Sequence, residues 1–256
     1  MSATAVRVSP QWLRLREPAD GAARCAELAA RLRRHLPAGP LVIHDLGGGS
    51  GAMGRWLAPR LPGPQHWVVH DRDEDLLELA VAGAPAGVTV ETRHSDITRL
   101  TPGDLAGADL VTASALLDLL TAEELAALLG ACAGHPLLLA LTVVGRVSLD
   151  PPEPLDARLA SAFNLHQRRH GLLGPDAVRE VQRTCAHVVV RPSPWRLGRA
   201  HADLAAAWLD GWVAAACEQE PALAAEAGAY RERRRAQAAA GRLRVTVDHA
   251  DVLVLP

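Results

Sequence analysis

Between residues 41 and 54 the chain reads LVIHDLGGGSGAMG: a short apolar run, a carboxylate at Asp45, then four glycines within five positions, Gly47 to Gly51. Backbone this bare can approach a ligand closely, and two glycine registers compete for what it holds. In the first, Gly49-Ser-Gly51-Ala-Met-Gly54 satisfies the dinucleotide fingerprint, in which a helix amino terminus receives a pyrophosphate. In the second, Asp45-x-Gly47-x-Gly49-x-Gly51 puts an acid at the end of a strand and alternate glycines in the loop. The fingerprint needs its first glycine directly after the strand. Here Asp45, Leu46 and two glycines intervene, so the spacing favours the second register.

Further acids recur at the ends of apolar runs. Asp71 closes HWVVHD, Asp96 precedes Ile97 in RHSDI, and Asp109 opens DLVTASALLDLL. With the glycine loop, these motifs resemble, in order and spacing, those of the class I S-adenosylmethionine-dependent methyltransferases, over about residues 41 to 145. The resemblance implies S-adenosyl-L-methionine as cofactor, with Gly47, Gly48, Gly49 and Gly51 in the binding loop. Asp45 would take the ammonium group, directly or through water. Asp71 would grip the ribose hydroxyls, since an ionised carboxylate offers two oxygens, with Arg72 beside it. Asp96 and Ile97 would hold the adenine, and Ser114 would lie at the end of the fourth strand. The methionine carboxylate wants a cation, and Arg16 or Arg14 in WLRLREPAD supplies one, with Arg16 preferred. As plain sequence, Asp71 also suits a helix cap and Asp96 a turn.

Methyl transfer from a sulfonium is an in-line displacement, so the protein has mainly to hold the acceptor atom opposite the sulfur and exclude water. A phenol, alcohol or carbon acid needs a base, whereas an amine or thiol of suitable pKa needs only positioning. Asp118 in SALLDLL and His166 in FNLHQRRHG are the expected catalytic groups. Asn164, Gln167 and His170 from the same polar segment, and Trp195 in SPWRLG, are the expected acceptor contacts. Trp208 and Trp212, four apart, read as a packed helix face. His166 and His170 have a chelating spacing, but no third ligand accompanies them and no metal is expected.

The elements that must position these groups alternate. A helix over GAARCAELAARLRRHL (21 to 36) precedes strand 41 to 44, then helix 51 to 61, strand 66 to 70, helix 74 to 83, and strands at 87 to 93 and 109 to 117. Thr121-Ala-Glu-Glu124 is a capping box opening a helix that stops at Gly130, and PLLLALTVV (136 to 144) is the fifth strand. Apolar strands alternating with helices predict an α/β, Rossmann-like, doubly wound, mostly parallel seven-stranded sheet with helices on both faces. The later chain predicts helices near 155 to 169, from 174, at 201 to 218 and 222 to 239, strand 187 to 192 and a closing LRVTVDHADVLVLP. The expected organisation is one domain: a helical cap over 1 to 40, a cofactor core over 41 to 145, and substrate-side decoration over 146 to 256.

With 256 residues, 49% of them apolar but one Phe and one Tyr, the core must be packed by Leu, Val and Ala. Every one of the 27 basic residues is arginine, set against 29 acids, and the net charge of −2 offers no attraction to a polyanion. Four scattered cysteines predict free thiols, and the amino-terminal residues lack an apolar signal core. These features predict a cytoplasmic protein, monomeric or homodimeric, that binds neither nucleic acid nor membrane; the resemblance adds that it methylates a small molecule, in specialised metabolism. Two other uses fit the same motifs: cofactor-dependent chemistry without methyl transfer, such as rearrangement or cyclisation, and a non-catalytic partner subunit.

Overall fold

The computed structural model describes residues 8 to 256, so the first seven residues of the expected cap lie outside the described residues. Two helices lead in, α1 (Pro10–Ala23) and α2 (Ala26–Arg33). Strands β1 (Leu41–Leu46), β2 (Gln65–Asp71), β3 (Val88–His94), β4 (Leu110–Ser114) and β5 (Leu137–Asp150) follow, all parallel, in the order 3-2-1-4-5. The strand order reverses between β1 and β4. The connections leaving those two strands therefore diverge and open a crevice beyond their carboxyl ends, where sheets of this kind receive ligands. Three later strands, β6 (His187–Pro192), β7 (Trp195–Leu197) and β8 (Arg244–Leu255), complete the sheet, with β8 running antiparallel between β5 and β6 and carrying β7 beside its start.

Burial follows the sequence pattern. The near-continuous apolar runs of β1, β4 and the start of β5 are covered on both faces, while β3, VTVETRH, is an edge strand with its polar residues outward. On one face α2 and α3 (Ala52–Leu57) press Leu28, Leu32, Trp56 and Leu57 against Ile43, Trp67 and Leu253, and α4 (Glu74–Ala82) seats Leu77 and Ala80 on Val69. On the other face α5 (Ala122–Ala131) and α7 (Ala177–Thr184) bring Leu125, Leu129 and Val181 to Val111, Leu139 and Val252. A third cluster joins α6 (Leu155–Gln167), α8 (Ala202–Gln219) and α9 (Ala224–Ala239) around Trp212 and Tyr230, against Leu197, Val245 and Val247. Truncating one of these fully buried leucines costs about 2–5 kcal/mol. The capping box is present: Glu124 N donates to Thr121 Oγ1 at 3.2 Å, and Thr121 N donates to Glu124 Oε2 at 2.9 Å.

The expected doubly wound, mostly parallel sheet is therefore found, with three departures. The helix read from residue 21 is two helices. The first starts at Pro10, where Ser9 accepts from Trp12 N and proline occupies the first helical position, and it ends at Arg24, whose backbone is extended (φ −53°, ψ 138°). Strand β5 runs six residues past the expected Val144, through two register irregularities, because β8 supplies a partner along its length. The three-residue strand β7 is too short to show a period.

Two histidines inside the sheet carry a pH consequence. His44 and His70 face the same side of β1 and β2, with His44 Nδ1 3.0 Å from His70 Nε2 and His70 Nδ1 3.1 Å from Ser95 Oγ. One neutral ring must donate and the other accept. Burial, reinforced for His70 by His44 and for both by Arg93, pushes each pKa from 6.5 down to about 4, while Glu91 opposes this at both rings, and His66 and His135 lower His44 further. The folded state thus refuses protons that the unfolded chain accepts between those pH values, so stability is complete above pH 6.5 and is lost as pH falls toward 4. Urea unfolding over that range should show a loss on the order of 1–2 kcal/mol per ring, and a His44→Leu/His70→Leu variant should lack that dependence.

Candidate functional site

The glycine loop leaves β1 between two carboxylates. Asp45, fully buried, accepts from Thr112 Oγ1 at 2.7 Å through Oδ1, while its Oδ2 has no partner. That free oxygen lies against Gly48: a Cβ there would stand 2.6 Å from it and 2.8 Å from Val69 Cγ1. Burial pushes the Asp45 pKa up to about 7 against the Thr112 hydrogen bond and the charge of Arg24. The next residue, Gly49, adopts φ +52° and donates its amide to Asp71 Oδ2 at 2.8 Å, and Asp71 Oδ1 accepts from Asp73 N at 3.0 Å. Asp71 therefore ties the loop to the end of β2 and orders the start of α4, with its remaining lone pairs directed elsewhere. Beyond β3, Asp96 Oδ1 accepts from Thr98 N at 3.0 Å, Thr98 Oγ1 at 2.7 Å and Arg72 Nη2 at 2.5 Å. Partial burial opposes ionisation, but Thr98 and Arg72 outweigh it and hold Asp96 below the usual carboxylate range, beside buried Ile97.

Helix α1 lies across this loop. Leu13 Cδ1 is 3.6 Å from the point where a Gly49 Cβ would be, and Glu17 clasps Arg55 of α3 through two bonds of 2.6 and 2.7 Å. Where α1 ends, Arg24 turns inward. It is 5% exposed, donates from Nη2 to Ser114 Oγ at 3.0 Å and from Nη1 to Ala52 O at 3.4 Å, and leaves Nε without a partner. Burial lowers its pKa, opposed by the charges of Asp20, Asp45 and Asp251. Arg16, the cation expected from sequence, is otherwise engaged: its Nε and Nη2 reach Asp20 at 2.9 and 3.2 Å, and its guanidinium stacks 5.0 Å above the Trp195 ring. Arg24 was not singled out from sequence, where it falls among the arginines off the apolar stripe of one continuous helix; the break at Cys25 is what turns it inward.

Past β4 the chain turns over Leu116, whose Cδ1 is 3.1 Å from a Cβ position on Gly47, and buries Asp118. Asp118 Oδ1 has no partner, and burial pushes the pKa up to about 6, with the charge of Arg16 opposing. Trp195, 3% exposed, donates Nε1 to Asp20 Oδ1 at 2.9 Å, and its ring lies 6.3 Å from Trp12 and 5.3 Å from His249. His249, opposite Val143 on β8, is a buried imidazole that the sequence reading passed over. Its Nδ1 is partnerless, and burial with the charge of Arg16 pushes its pKa down to about 4.

The polar segment FNLHQRRHG is spent largely on fastening α6. Asn164 donates to Gly145 O at 2.8 Å; His166 Nε2 is 3.3 Å from Glu218 on α8, and Gln167 backs onto the turn at Gly174. Arg168 reaches Asp176, Arg169 reaches Glu218 and Gln219, and His170 is exposed with φ 58°. These ties account for the polar density without a ligand.

Residues 43–135 match the family model described as a methyltransferase domain. Among solved structures, a loganic acid methyltransferase with SAH is similar over 94% of this chain and 93% of its own, at 11% identity and a TM-score of 0.52. The family match covers the stretch from β1 through α5, and the likeness to the solved structure is one of fold. Weaker likenesses are a cyclopropane synthase of Mycobacterium tuberculosis (15% identity, 90% of this chain and 82% of that one, TM-score 0.46) and a Haemonchus contortus phosphoethanolamine N-methyltransferase solved with S-adenosyl-L-methionine (17%, 90% and 52%, TM-score 0.44). The chain thus spans about half the length of the Haemonchus enzyme. No curated protein matches the chain. Among the described residues, no helix is long and apolar enough to cross a membrane.

Several of the buried polar atoms without a hydrogen-bond partner gather around the crevice. Asp45 Oδ2, Arg24 Nε, Asp118 Oδ1, Thr142 Oγ1 and His249 Nδ1 are all buried and partnerless. They belong to the ends of β1 and β4, the helix junction packed against them, and the adjoining stretch of β5 and β8. A buried group without a partner costs about 1–3 kcal/mol, so such a grouping is a standing demand for a polar ligand. A free carboxylate oxygen and a buried guanidinium suit the ammonium and carboxylate of an amino-acid group. Gly48→Ala should test the loop: the methyl group would meet Asp45 and Val69 head-on, costing about 1–3 kcal/mol in thermal unfolding, and titration calorimetry should show S-adenosylmethionine binding lost.

Proposed function

We propose that this protein transfers a methyl group from S-adenosyl-L-methionine to a small-molecule acceptor by in-line displacement, in specialised metabolism. The observation that carries the reading is the pairing of two buried, incompletely satisfied charges, Asp45 and Arg24, beside a glycine loop tied to Asp71. In this reading Asp45 Oδ2 takes the cofactor's ammonium, directly or through water, and Arg24, in place of Arg16, takes the carboxylate together with Ser114. Asp71 takes the ribose hydroxyls; Asp96, flanked by Arg72 and Ile97, takes the adenine. Gly47, Gly48, Gly49 and Gly51 keep the loop bare enough for contact.

When bound, the cofactor supplies an electrophilic methyl group on a sulfonium. The chain's own task is then to hold the acceptor, exclude water and receive a proton. Asp118, buried and with a free oxygen, is ionised above about pH 6 and is the base for an acceptor O–H or N–H. Arg16 and Trp195 form the wall beside it, with His249 as a neutral hydrogen-bond acceptor. His166, Asn164 and Gln167 serve acceptor binding indirectly, by holding α6 over β5 and against α8, while exposed His170 meets the acceptor from the turn after α6. The low net charge favours an acceptor other than nucleic acid, and the protein acts in the cytoplasm, as a monomer or homodimer, away from membranes.

Calorimetry with S-adenosylmethionine and NADH tests the cofactor: micromolar binding of the first is expected, and binding of NADH alone would sink the reading. Asp71→Ala should weaken cofactor binding at least about tenfold. With an acceptor found by mass spectrometry of a metabolite panel, kcat/KM should rise with pH through about 6 as Asp118 loses its proton. Asp118→Asn should lower kcat by about 10²- to 10⁴-fold and erase that limb. An unchanged profile would remove Asp118 as the base.

A further inference from the structure

Asp251 is a buried carboxylate with both oxygens committed to backbone amides. It lies on β8, far from the glycine motif in sequence, and is 1% exposed. Its Oδ2 accepts from Cys25 N at 2.7 Å, and its Oδ1 accepts from Leu141 N at 2.8 Å. Both donors are unusual points of the backbone. Cys25 is the residue before α2, where the chain breaks out of helix and Arg24 is turned inward. Leu141 has φ 55°, a left-handed conformation at the irregularity in β5, immediately before Thr142. A β-branched or bulky residue holds that conformation only when its surroundings impose it.

We propose that Asp251 is a positioning residue for the cofactor: it holds the α1–α2 junction so that the Arg24 guanidinium stays lodged between Ser114 and Ala52. The inference rests on the cofactor reading above, in which Arg24 receives the methionine carboxylate. Geometry gives the link. The amide that Asp251 holds belongs to the residue next to Arg24, and the guanidinium's contacts on Ser114 and Ala52 are 3.0 and 3.4 Å long, so a small backbone shift breaks both. Asp251 cannot be replaced in this role by its amide. Both of its oxygens face N–H donors, and asparagine would turn a donor toward one of them.

Charge and position predict opposite results. Asp251 adds a negative charge near Arg24, so on charge alone its removal strengthens binding of a carboxylate. Positioning predicts weaker binding. The test is titration calorimetry of S-adenosylhomocysteine into the wild-type chain, Asp251→Asn, Arg24→Ala and the double variant, with thermal melting alongside. Expected are losses of at least about tenfold in each single variant and no further loss in the double, because the second change acts through the first. Unchanged or tighter binding in Asp251→Asn, or losses that multiply in the double variant, would overturn the proposal. Failure of the wild-type chain to bind would instead overturn the cofactor reading on which it rests.

Should Asp251→Asn not fold, Cys25→Pro cuts the same link from the other side. Residue 25 has φ −78°, which proline adopts, and Arg24 at φ −53°, ψ 138° already has the conformation required before proline, so the backbone loses only its amide donor, and Cys25→Ala controls for the packing of the lost thiol. The same tenfold loss, again absent on an Arg24→Ala background, is expected; wild-type affinity in Cys25→Pro would overturn the proposal.

Discussion

The chain leaves β1 over a buried carboxylate, and most of the site follows from that constraint. With Asp45 Oδ2 directly beneath it, position 48 has no room for a side chain, and the loop rests on the oxygen instead of arching above it. The next amide is then at the right height for Asp71, so the loop leaving β1 is tied to the end of β2 by an amide-to-carboxylate hydrogen bond of 2.8 Å, beside the backbone bond from Gly48 N to His70 O at 3.1 Å. Because strand order reverses beside β1, that joined edge borders a crevice instead of another strand. Loop, crevice and carboxylates are one arrangement, and each fails without the others.

The electrostatics of the crevice are those of charge held short of full compensation. Burial raises the pKa of Asp45 and Asp118 and works against the charge of Arg24, while each is left with an atom that has no partner. Elsewhere a buried ion is held by a direct carboxylate partner: Arg234, with no exposed surface, is gripped by both oxygens of Asp156 at 2.6 and 2.7 Å and reaches Pro151 O, although its Nε makes no hydrogen bond. Arg24 differs in having no carboxylate within hydrogen-bond distance, only Ser114 and a backbone carbonyl.

The part of this architecture that repeats was legible from residues. Apolar strands separated by helical stripes announced the sheet between 41 and 145, because local period is a local fact, while Asp71 and Asp96 were marked as site candidates by the family resemblance and stand at the end of β2 and just beyond β3. What escaped depends on contacts between distant segments. Arg24 looked like one more solvated arginine until the break at Cys25 turned it inward; the break is imposed by a strand that begins at Arg244, more than two hundred residues later. Trp195 and His249 meet only because β7 lies beside β8. The density of FNLHQRRHG suggested ligand chemistry, and helix-to-helix ties account for it equally well, since residue type alone does not reveal the partner.

The placement of β8 also bears on how the protein is assembled. Strand β8, which lies between β5 and the edge strand β6, comes last in chain order among the described strands, and the bond from Asp251 to Cys25 closes a span of 226 residues. Such a contact comes at a large loop-closure cost and forms late. Before β8 docks, the glycine loop and its neighbouring strands can pair while the α1–α2 junction remains unfastened. Once β8 slots between β5 and β6, Asp251 fixes that junction, so the order of strands along the chain sets the order in which the parts around the crevice are secured.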